Sequence, residues 1–317
     1  MESPIELTEY AFQEGIPSGF SRDFESGIFH DPRHLQLQSS KEWHSFALLN
    51  PKQRTIVAEV HYHIDADVAS SPFRSPYSSF VFSKSISSEQ LLEFVNYTEQ
   101  KLKEKVVHTL LLKNPPDIYT SESQILHQVL FENGYRVHLE ETSAVIAVDD
   151  RTYAKILNRS KKDLLRKGHN KLFKFQQFSL SQLSEVYGFL KMCYSERGYQ
   201  LSMTLEEVQR VTQVFPDKYF LHVVVHHEQI VAASISIRVK PTVLYTFYYN
   251  HLKEYDYVSP IVFLCEGLYL FCQENGIDLL DLGTSNKGGQ LNEPLINFKL
   301  SLGAQPSRKL TFIKNIS

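Results

Sequence analysis

Cysteine, methionine and tryptophan are scarce in this chain of 317 residues, which has three cysteines, three methionines and one tryptophan. Cys193, Cys265 and Cys272 form no CxxC pair, which argues against a disulfide-stapled secreted domain and favours a reducing compartment. Cys265 and Cys272 lie two helical turns apart, so we expect both to pack in a core. Cytoplasmic location is the prediction.

Long hydrophobic runs and strong net charge are also missing. No run approaches the ~20 apolar residues that a membrane-spanning helix needs, and the opening MESPIELTEY has neither the basic start nor the apolar run of a signal peptide. A net charge of -3 argues against a strongly electrostatic nucleic-acid binder. The hydrophobic content of 42% predicts a soluble protein with an ample core.

Familiar catalytic signatures are absent as well. The sequence has no GxSxG, Walker or Rossmann motif. His61 and His63 share one face of a predicted strand, and His226 and His227 lie at a predicted turn, but neither pair has a third ligand at a recognisable spacing. No metal site is predicted.

The chain contains the same predicted order of strands and helices in each of its two halves. Each half is predicted to run strand, strand, strand, helix, strand, helix, strand. In the first half the segments are 43–49, 55–64, a short strand near 80–82, 87–105, 106–112, 121–134 and 135–148; in the second they are 218–227, 229–239, 243–250, 259–276, 278–283, 292–303 and 307–313. Ser87 and Gln90 are spaced as a capping box, and Ser259 and Asn292 are predicted N-caps.

This repetition predicts two α/β domains, residues 1–150 and 181–317, joined by a basic connector at 151–180. The connector holds a cluster of cations: Arg159, Lys161, Lys162, Arg166, Lys167, Lys171 and Lys174. On a helix, Lys162, Arg166 and Lys167 would share one side. Two interpretations remain open, a solvated linker helix or a cationic wall for a phosphate-bearing substrate, with Arg166 and Lys167 as candidate binding residues.

The most informative stretch is DLLDLGTSNKGGQLNEPLINFKLSLGA, residues 278–304. A buried strand leads into a polar loop and then a short helix, which is how α/β proteins build a site at the carboxyl end of a strand. The equivalent loop of the first copy, Asn114-Pro115-Pro116, is stiffened by two prolines and follows no acidic residue. We therefore predict the site in the second copy and a non-catalytic role for the first, either as a scaffold or as one side of the cleft.

The order β-β-β-α-β-α-β resembles the Gcn5-related N-acetyltransferase (GNAT) fold, and two such units in tandem resemble the FemAB-like aminoacyltransferases. The resemblance rests on residues 245–250 (YTFYYN), on the Ser-Pro start of the helix at 259, and on the ending DLGTS…FKLSLGA. It implies two GNAT-like domains of the α/β (α+β) class, each a mixed, mostly antiparallel sheet flanked by helices. It also implies an acyltransferase acting on an amine or hydroxyl of a small molecule or cell-envelope precursor.

The donor that this resemblance implies is acetyl-CoA or another acyl-CoA, or alternatively a charged tRNA, which the acidic balance disfavours. One departure weighs against ordinary CoA binding. Acetyl-CoA-dependent members usually carry a glycine-rich turn before the central helix, whose amides hold the pyrophosphate. Residues 251–259 of this chain contain no glycine and two acids. A non-catalytic tandem protein that binds a metabolite or a partner protein is therefore a further alternative.

Several residues are candidates for the chemistry. Asp281 can position or deprotonate an acceptor, or bind amides of its own loop, and alternation leaves open whether it or Asp278 faces the cleft. Tyr248 and Tyr249 can donate a proton to a leaving group or serve as core residues; Tyr245 and Tyr249 are predicted to share a face opposite Tyr248.

The remaining candidates are binding residues. Ser285 and Asn286 can hold a polar ligand or be solvated loop residues. The resemblance implies that Lys299 meets a phosphate or carboxylate of the donor; an exposed helix lysine is the alternative. The amino end of the helix at Ser259 can hold donor charge, and Asn250 ends the aromatic strand beside it.

Overall fold

The computed structural model describes residues 10–316. Residue contacts divide the chain into two compact units. The first runs to Glu140 and also contains the stretch from Arg308 onward, whereas the second is Glu141–Ser307. The predicted boundaries of 1–150, 151–180 and 181–317 followed chain order, but each copy's predicted closing strand supplies residues to the other unit.

The first unit is a mixed sheet with helices. Its elements are β1 (Ala11–Glu14), β2 (Ser21–Arg22), α1 (Pro32–Gln38), β3 (Trp43–Asn50), β4 (Thr55–Asp65), β5 (Val68–Ser71), β6 (Val81–Phe82), α2 (Ser88–Lys103), β7 (Thr109–Lys113), α3 (Ser123–Glu132) and the start of β8 (Arg136–Ala147). Strands β1, β3, β4 and β5 pair antiparallel, and β5 pairs parallel with β7. The end of the chain closes this unit, since residues 311–315 pair antiparallel with β7.

The third strand of this unit differs from the prediction. The sequence placed it near residues 80–82, but those residues form β6, which pairs with β4 at one side. The third strand is β5, which follows β4 directly through a turn at Ala66, where φ is +54°. Only four residues long, β5 lacks the apolar alternation by which a strand is recognised in a sequence.

The second unit begins in the second half of β8 and repeats the same plan. Its further elements are α4 (Tyr153–Ile156), α5 (Arg159–Asn170), β9 (Lys174–Phe178), α6 (Leu183–Ser195), α7 (Leu205–Val214), β10 (Tyr219–His226), β11 (Gln229–Lys240), β12 (Val243–His251), α8 (Pro260–Glu274), β13 (Leu279–Thr284), β14 (Asn286–Lys287), β15 (Gln290–Leu291), α9 (Glu293–Ser301) and β16 (Gln305–Asn315), whose later residues belong to the first unit. The strand order is β8-β13-β12-β11-β10-β9.

Both units thus contain three antiparallel strands followed by a strand parallel to the third. In the first these are β3, β4, β5 and β7; in the second they are β10, β11, β12 and β13. The predicted mixed, mostly antiparallel sheets are confirmed. Strand β9 was not predicted, because its residues belong to the segment interpreted as a basic connector; it pairs with β10 at the edge of the sheet.

Local signals explain where the helices begin and end. The predicted capping box of Ser87 and Gln90 is present at the start of α2. Asn292 caps α9 through its side chain, and Gly303 follows the helix with φ of +89°. Ser259 occupies the N-cap position of α8 but makes no side-chain capping bond, because its backbone is left-handed, with φ of +47°.

Candidate active site

The parallel strands β12 and β13 separate soon after they meet. Their pairing covers Val243 to Tyr245 of β12 and Leu279 to Asp281 of β13. Beyond that point β12 continues to His251 along β11, while β13 ends at Thr284. The two strands therefore diverge on the side where the polar loop of residues 284–292 begins.

Side chains, rather than backbone amides, satisfy the β13 carbonyls in this gap. The Thr246 hydroxyl donates to the Asp281 carbonyl at 2.9 Å, and the Tyr249 hydroxyl donates to the Leu282 carbonyl at 3.3 Å. Burial raises the pKa of the Tyr249 hydroxyl well above its usual range, so the group remains a donor at neutral pH. Tyr249 thus stabilises the separated position of β13 relative to β12.

Lys299 completes this pattern from α9. Its ammonium is buried, with 3% of the residue exposed, and donates to the carbonyls of Gly283 at 2.9 Å and Thr284 at 2.8 Å. The expectation of an exposed helix lysine is wrong. Its contacts in this structure are with the loop backbone, so Lys299 fixes the path of the chain as it leaves β13.

The protonation of Lys299 should be visible in the pH dependence of stability. Burial lowers its pKa from 10.5 to about 8, against the charge of Asp281. Because the unfolded chain binds more protons between these two values, the free energy of unfolding should rise with pH in that range. Relative to a Lys299→Met variant, the wild type should gain about 2 kcal/mol between pH 7 and 9.5 in urea titrations. Parallel curves for the two proteins would contradict this.

Asp281 is the buried acid of β13. Its residue is 2% exposed, whereas Asp278 lies exposed at the start of the strand. One carboxylate oxygen accepts a hydrogen bond from the Gly283 amide at 2.7 Å, so the expected contact with its own loop is present. Asp281 also pairs in register with Tyr245, whose hydroxyl has its pKa raised by burial and then by the Asp281 charge. The carboxylate and the phenol therefore lie on the same face of the sheet.

A β-bulge changes the faces predicted for the tyrosines. Ser236 pairs with Thr246 and Ile235 with Tyr248, which leaves Phe247 as an extra residue. Tyr245 and Tyr248 consequently lie on one face, opposite Ile237 and Ile235, while Tyr249 lies on the other. The prediction that Tyr245 and Tyr249 share a face is wrong, because strict alternation does not survive the inserted residue.

The Tyr248 hydroxyl serves the loop that follows α6. It is 2.7 Å from the Ser202 hydroxyl and accepts from the Met203 amide at 2.9 Å. Its ring also packs edge-on against Tyr194 of α6, with centroids 6.0 Å apart. Burial raises its pKa, so Tyr248 stays protonated near neutral pH. These contacts align the loop on the Tyr245 face of the sheet.

The loop beyond β13 contributes two further polar groups. Asn286 accepts a hydrogen bond from the Thr142 amide at 2.8 Å through its side chain. Ser285 is fully buried, and its hydroxyl has no hydrogen-bond partner among the described residues. A buried hydroxyl without a partner is costly in a folded chain. The Ser285 hydroxyl is therefore an unsatisfied polar group of this loop.

The other predicted binding residues lie apart from this gap or have other contacts. Asn250 accepts from the amide of His251 through its side-chain oxygen. Arg166 and Lys167 are exposed on α5, where Arg166 forms an ion pair with Asp163 at 3.2 Å. The structure brings together Asp281, Tyr249, Ser285 and Lys299 around the end of β13.

The segment before α8 is where a GNAT fold would hold the pyrophosphate of CoA. Its residues 253–255 form a 3₁₀ turn. The backbone amides of four residues donate to carbonyls within the same segment: Tyr255, Asp256, Val258 and Ser259. Amides already engaged in this way cannot cradle a phosphate. The segment in this conformation does not fit the CoA pyrophosphate.

Residues 10–316 hold neither a metal cluster nor a membrane span. No group of three or more His, Cys, Asp or Glu side chains in this range is placed to hold a metal ion. No helix in the same range has both the length and the apolar character required to cross a membrane.

Comparison with known proteins identifies the architecture. No family model and no curated protein sequence matches the chain. Among solved structures, FemX superimposes with a TM-score of 0.70 at 10% identity over 92% of each chain. A tandem GNAT protein from the clavulanic acid biosynthesis pathway superimposes with a TM-score of 0.53 at 8% identity, over 87% of this chain and 83% of that one.

The protein has a tandem GNAT fold. The C-terminal domain of a putative lysylphosphatidylglycerol synthetase from Agrobacterium fabrum is similar too, with a TM-score of 0.53 at 11% identity, over 82% of this chain and 81% of that one. At these identities the likeness concerns the fold alone. The predicted fold class is thereby confirmed, and in this fold the gap between β12 and β13 lies between the third strand and the strand parallel to it.

Sequence reasoning did not find Thr246 or the link from Tyr248 to residues 202–203. Both contacts join segments separated by more than thirty residues. No local pattern encodes either pairing. The FK pair at 298–299 did single out Lys299, although not its backbone partners.

Proposed function

We propose that the second unit transfers an acyl or aminoacyl group from an activated donor to an amine or hydroxyl acceptor. The observation that carries the proposal is the gap between β12 and β13, where the β12 edge beyond Tyr245 is left without a partner strand among the described residues. An extended donor can bind such an edge through its own amide and carbonyl groups. The acceptor is proposed to be a small molecule or a cell-envelope precursor.

In this mechanism Asp281 orients the acceptor and takes its proton. Its carboxylate is fixed by the Gly283 amide on the face that Tyr245 shares. The acceptor nitrogen or oxygen attacks the acyl carbon of a thioester or ester, the bond to the leaving group breaks, and the proton passes to that leaving group. Burial of the site excludes water, which would otherwise hydrolyse the donor.

Lys299 and Ser285 are proposed to act on the donor side. Lys299 fixes the Gly283 and Thr284 carbonyls at the start of the loop, and the Ser285 hydroxyl, which has no partner among the described residues, would bind a polar group of a donor that enters the gap. The turn before α8 does not fit the CoA pyrophosphate. Aminoacyl esters are therefore donor candidates to be tested alongside acyl-CoAs.

The test is a product screen by mass spectrometry with acyl-CoAs and aminoacyl-tRNAs as donors and amine- or hydroxyl-bearing acceptors. For a pair that gives product, Asp281→Asn should lower kcat/KM by at least about tenfold, since general base catalysis typically contributes 10²-fold or more. Asp278→Asn is the matched control, because Asp278 is an exposed acid on the same segment. Equal turnover by wild type and Asp281→Asn would remove Asp281 from the mechanism.

The exposed cations of α5 make charged tRNA a second donor to test, although the acidic balance of the whole chain disfavours it. Arg159, Lys162, Arg166 and Lys167 are all exposed. If they bind RNA phosphates, the affinity should fall steeply with salt. Ligand-dependent thermal shifts without any product would instead favour a non-catalytic binding protein.

A further inference from the structure

Two large side chains protrude into solvent beside one another in the second unit. Leu172, which follows α5, is 75% exposed, and Tyr257, which precedes α8, is 62% exposed. Lys171 lies between them, because it directly precedes Leu172 in the chain and its ammonium lies 5.2 Å from the centre of the Tyr257 ring. We call Lys171, Leu172 and Tyr257 the apolar tip.

The conformation of Leu172 keeps its side chain in water. Its φ is +59°, a left-handed conformation that leucine rarely adopts. The next residue, Phe173, turns inward and packs against Phe263 and Tyr255. The chain therefore buries Phe173 and presents Leu172 outward.

Positive charge is concentrated on α5 and on the residues that follow it, which lead into the apolar tip. Within α5 and the residues just after it, the cations are Arg159, Lys161, Lys162, Arg166, Lys167, Lys171 and Lys174, and the only acid is Asp163. Asp163 pairs with Arg166, whereas Lys162 and Lys167 are exposed and form no ion pair among residues 10–316. Other nearby acids are Glu266, which is 2.9 Å from His169, the exposed Glu228 and Glu254, and Asp256, which precedes Tyr257 and pairs with His251 and Arg197. The cations outnumber these acids.

A protruding apolar group beside several lysine and arginine side chains suits binding to an anionic lipid surface. At an anionic bilayer, cations are attracted to the lipid headgroups while leucine and tyrosine enter the boundary between headgroups and acyl chains. The phosphates of a nucleic acid would also bind these cations, but they make no favourable apolar contact with an exposed leucine. The combination favours a lipid surface over RNA.

We propose that the apolar tip and the exposed cations of α5 form a docking surface for an anionic lipid membrane. The surface is peripheral, because Leu172 and Tyr257 reach only the outer part of a bilayer from a folded unit. Such docking would give the second unit access to a lipid-borne substrate, but membrane binding itself does not depend on the proposed transfer activity.

The experiment is flotation of the full chain with vesicles of phosphatidylcholine alone or mixed in equal parts with phosphatidylglycerol. We expect binding to the mixed vesicles that weakens with salt, and little binding to phosphatidylcholine alone. Leu172→Asp should weaken partitioning about tenfold or more, because it removes the apolar part of the anchor and places a negative charge beside Lys171. Aspartate tolerates a left-handed backbone better than leucine does, so this variant should fold.

Val106→Asp is the matched control. Val106 is 70% exposed, follows α2 and also has a left-handed backbone, with φ of +61°. Two of its three neighbouring lysines, Lys101 and Lys105, are paired with Glu104 and Glu14, so this position has less unpaired positive charge than the surroundings of Leu172. The control variant should bind the vesicles as the wild type does.

A third variant separates charge from apolar contact. The double substitution Lys167→Glu and Lys171→Glu should weaken vesicle binding at least as much as Leu172→Asp. Three results would overturn the proposal: no binding to the mixed vesicles at low salt, equal binding to both vesicle types, or loss of binding in the lysine variant with none in Leu172→Asp. The last result, combined with salt-dependent RNA binding that the lysine variant also loses, would assign the surface to RNA.

Discussion

Gly267→Ala is expected to destabilise the second unit by about 3 kcal/mol, at the upper end of the usual cost of overpacking a core. Gly267 lies in the middle of α8, and a Cβ atom there would come within 2.1 Å of Cδ2 of Phe175 and 2.3 Å of its Cγ. The ring has little freedom to retreat, because it stacks on His222 with centroids 5.2 Å apart. Urea denaturation followed by circular dichroism measures the change.

Gly188→Ala is the control, because it makes the same chemical change in another helix. Gly188 is exposed on α6, and nothing lies within 4 Å of the position that the new methyl group would take. There alanine should stabilise by up to about 1 kcal/mol through helix propensity. Adding Phe175→Ala to Gly267→Ala should relieve the clash, so the double variant should be more stable than additivity predicts. Similar effects of both glycine substitutions would refute the explanation.

Phe175 belongs to β9, a strand that the sequence pattern did not predict. Strands β3, β4, β10 and β11 and helix α2 were predicted closely, because each carries its own alternation or cap. Strand β9 carries neither, since its residues alternate weakly and follow a basic helix. Its strand conformation depends on pairing with β10 and on the packing of Phe175 against Gly267 of α8. Both are tertiary contacts, which the local sequence does not encode.

The candidate site follows the same division. The strand, polar loop and short helix at residues 279–301 were predictable, because a buried strand followed by a polar, glycine-bearing loop is a local pattern. The face on which each tyrosine lies was not, because one extra residue at Phe247 reverses the alternation. Nor did the sequence reveal that Lys299 is bound to two carbonyls, since that contact depends on how α9 packs under the loop.

His222 makes the second unit sensitive to acid. It is fully buried on β10 among Phe175, Phe220 and Phe271, and neither ring nitrogen has a hydrogen-bond partner among the described residues. Burial lowers its pKa from 6.5 to about 3. Between these values the unfolded chain binds a proton that the folded chain does not, so the free energy of unfolding falls as the pH falls below about 6.5.

His222→Phe should remove this component of acid sensitivity. Between pH 7 and pH 4 the wild type is expected to lose about 3 kcal/mol more than the variant, because each unit of pKa difference contributes 1.36 kcal/mol. At pH 7 the variant should be at least as stable as the wild type, since phenylalanine suits the aromatic surroundings and leaves no buried nitrogen without a partner. His138→Phe, at an exposed histidine, should follow the wild-type pH dependence. If His222→Phe followed it as well, a neutral buried imidazole in the folded state would be ruled out.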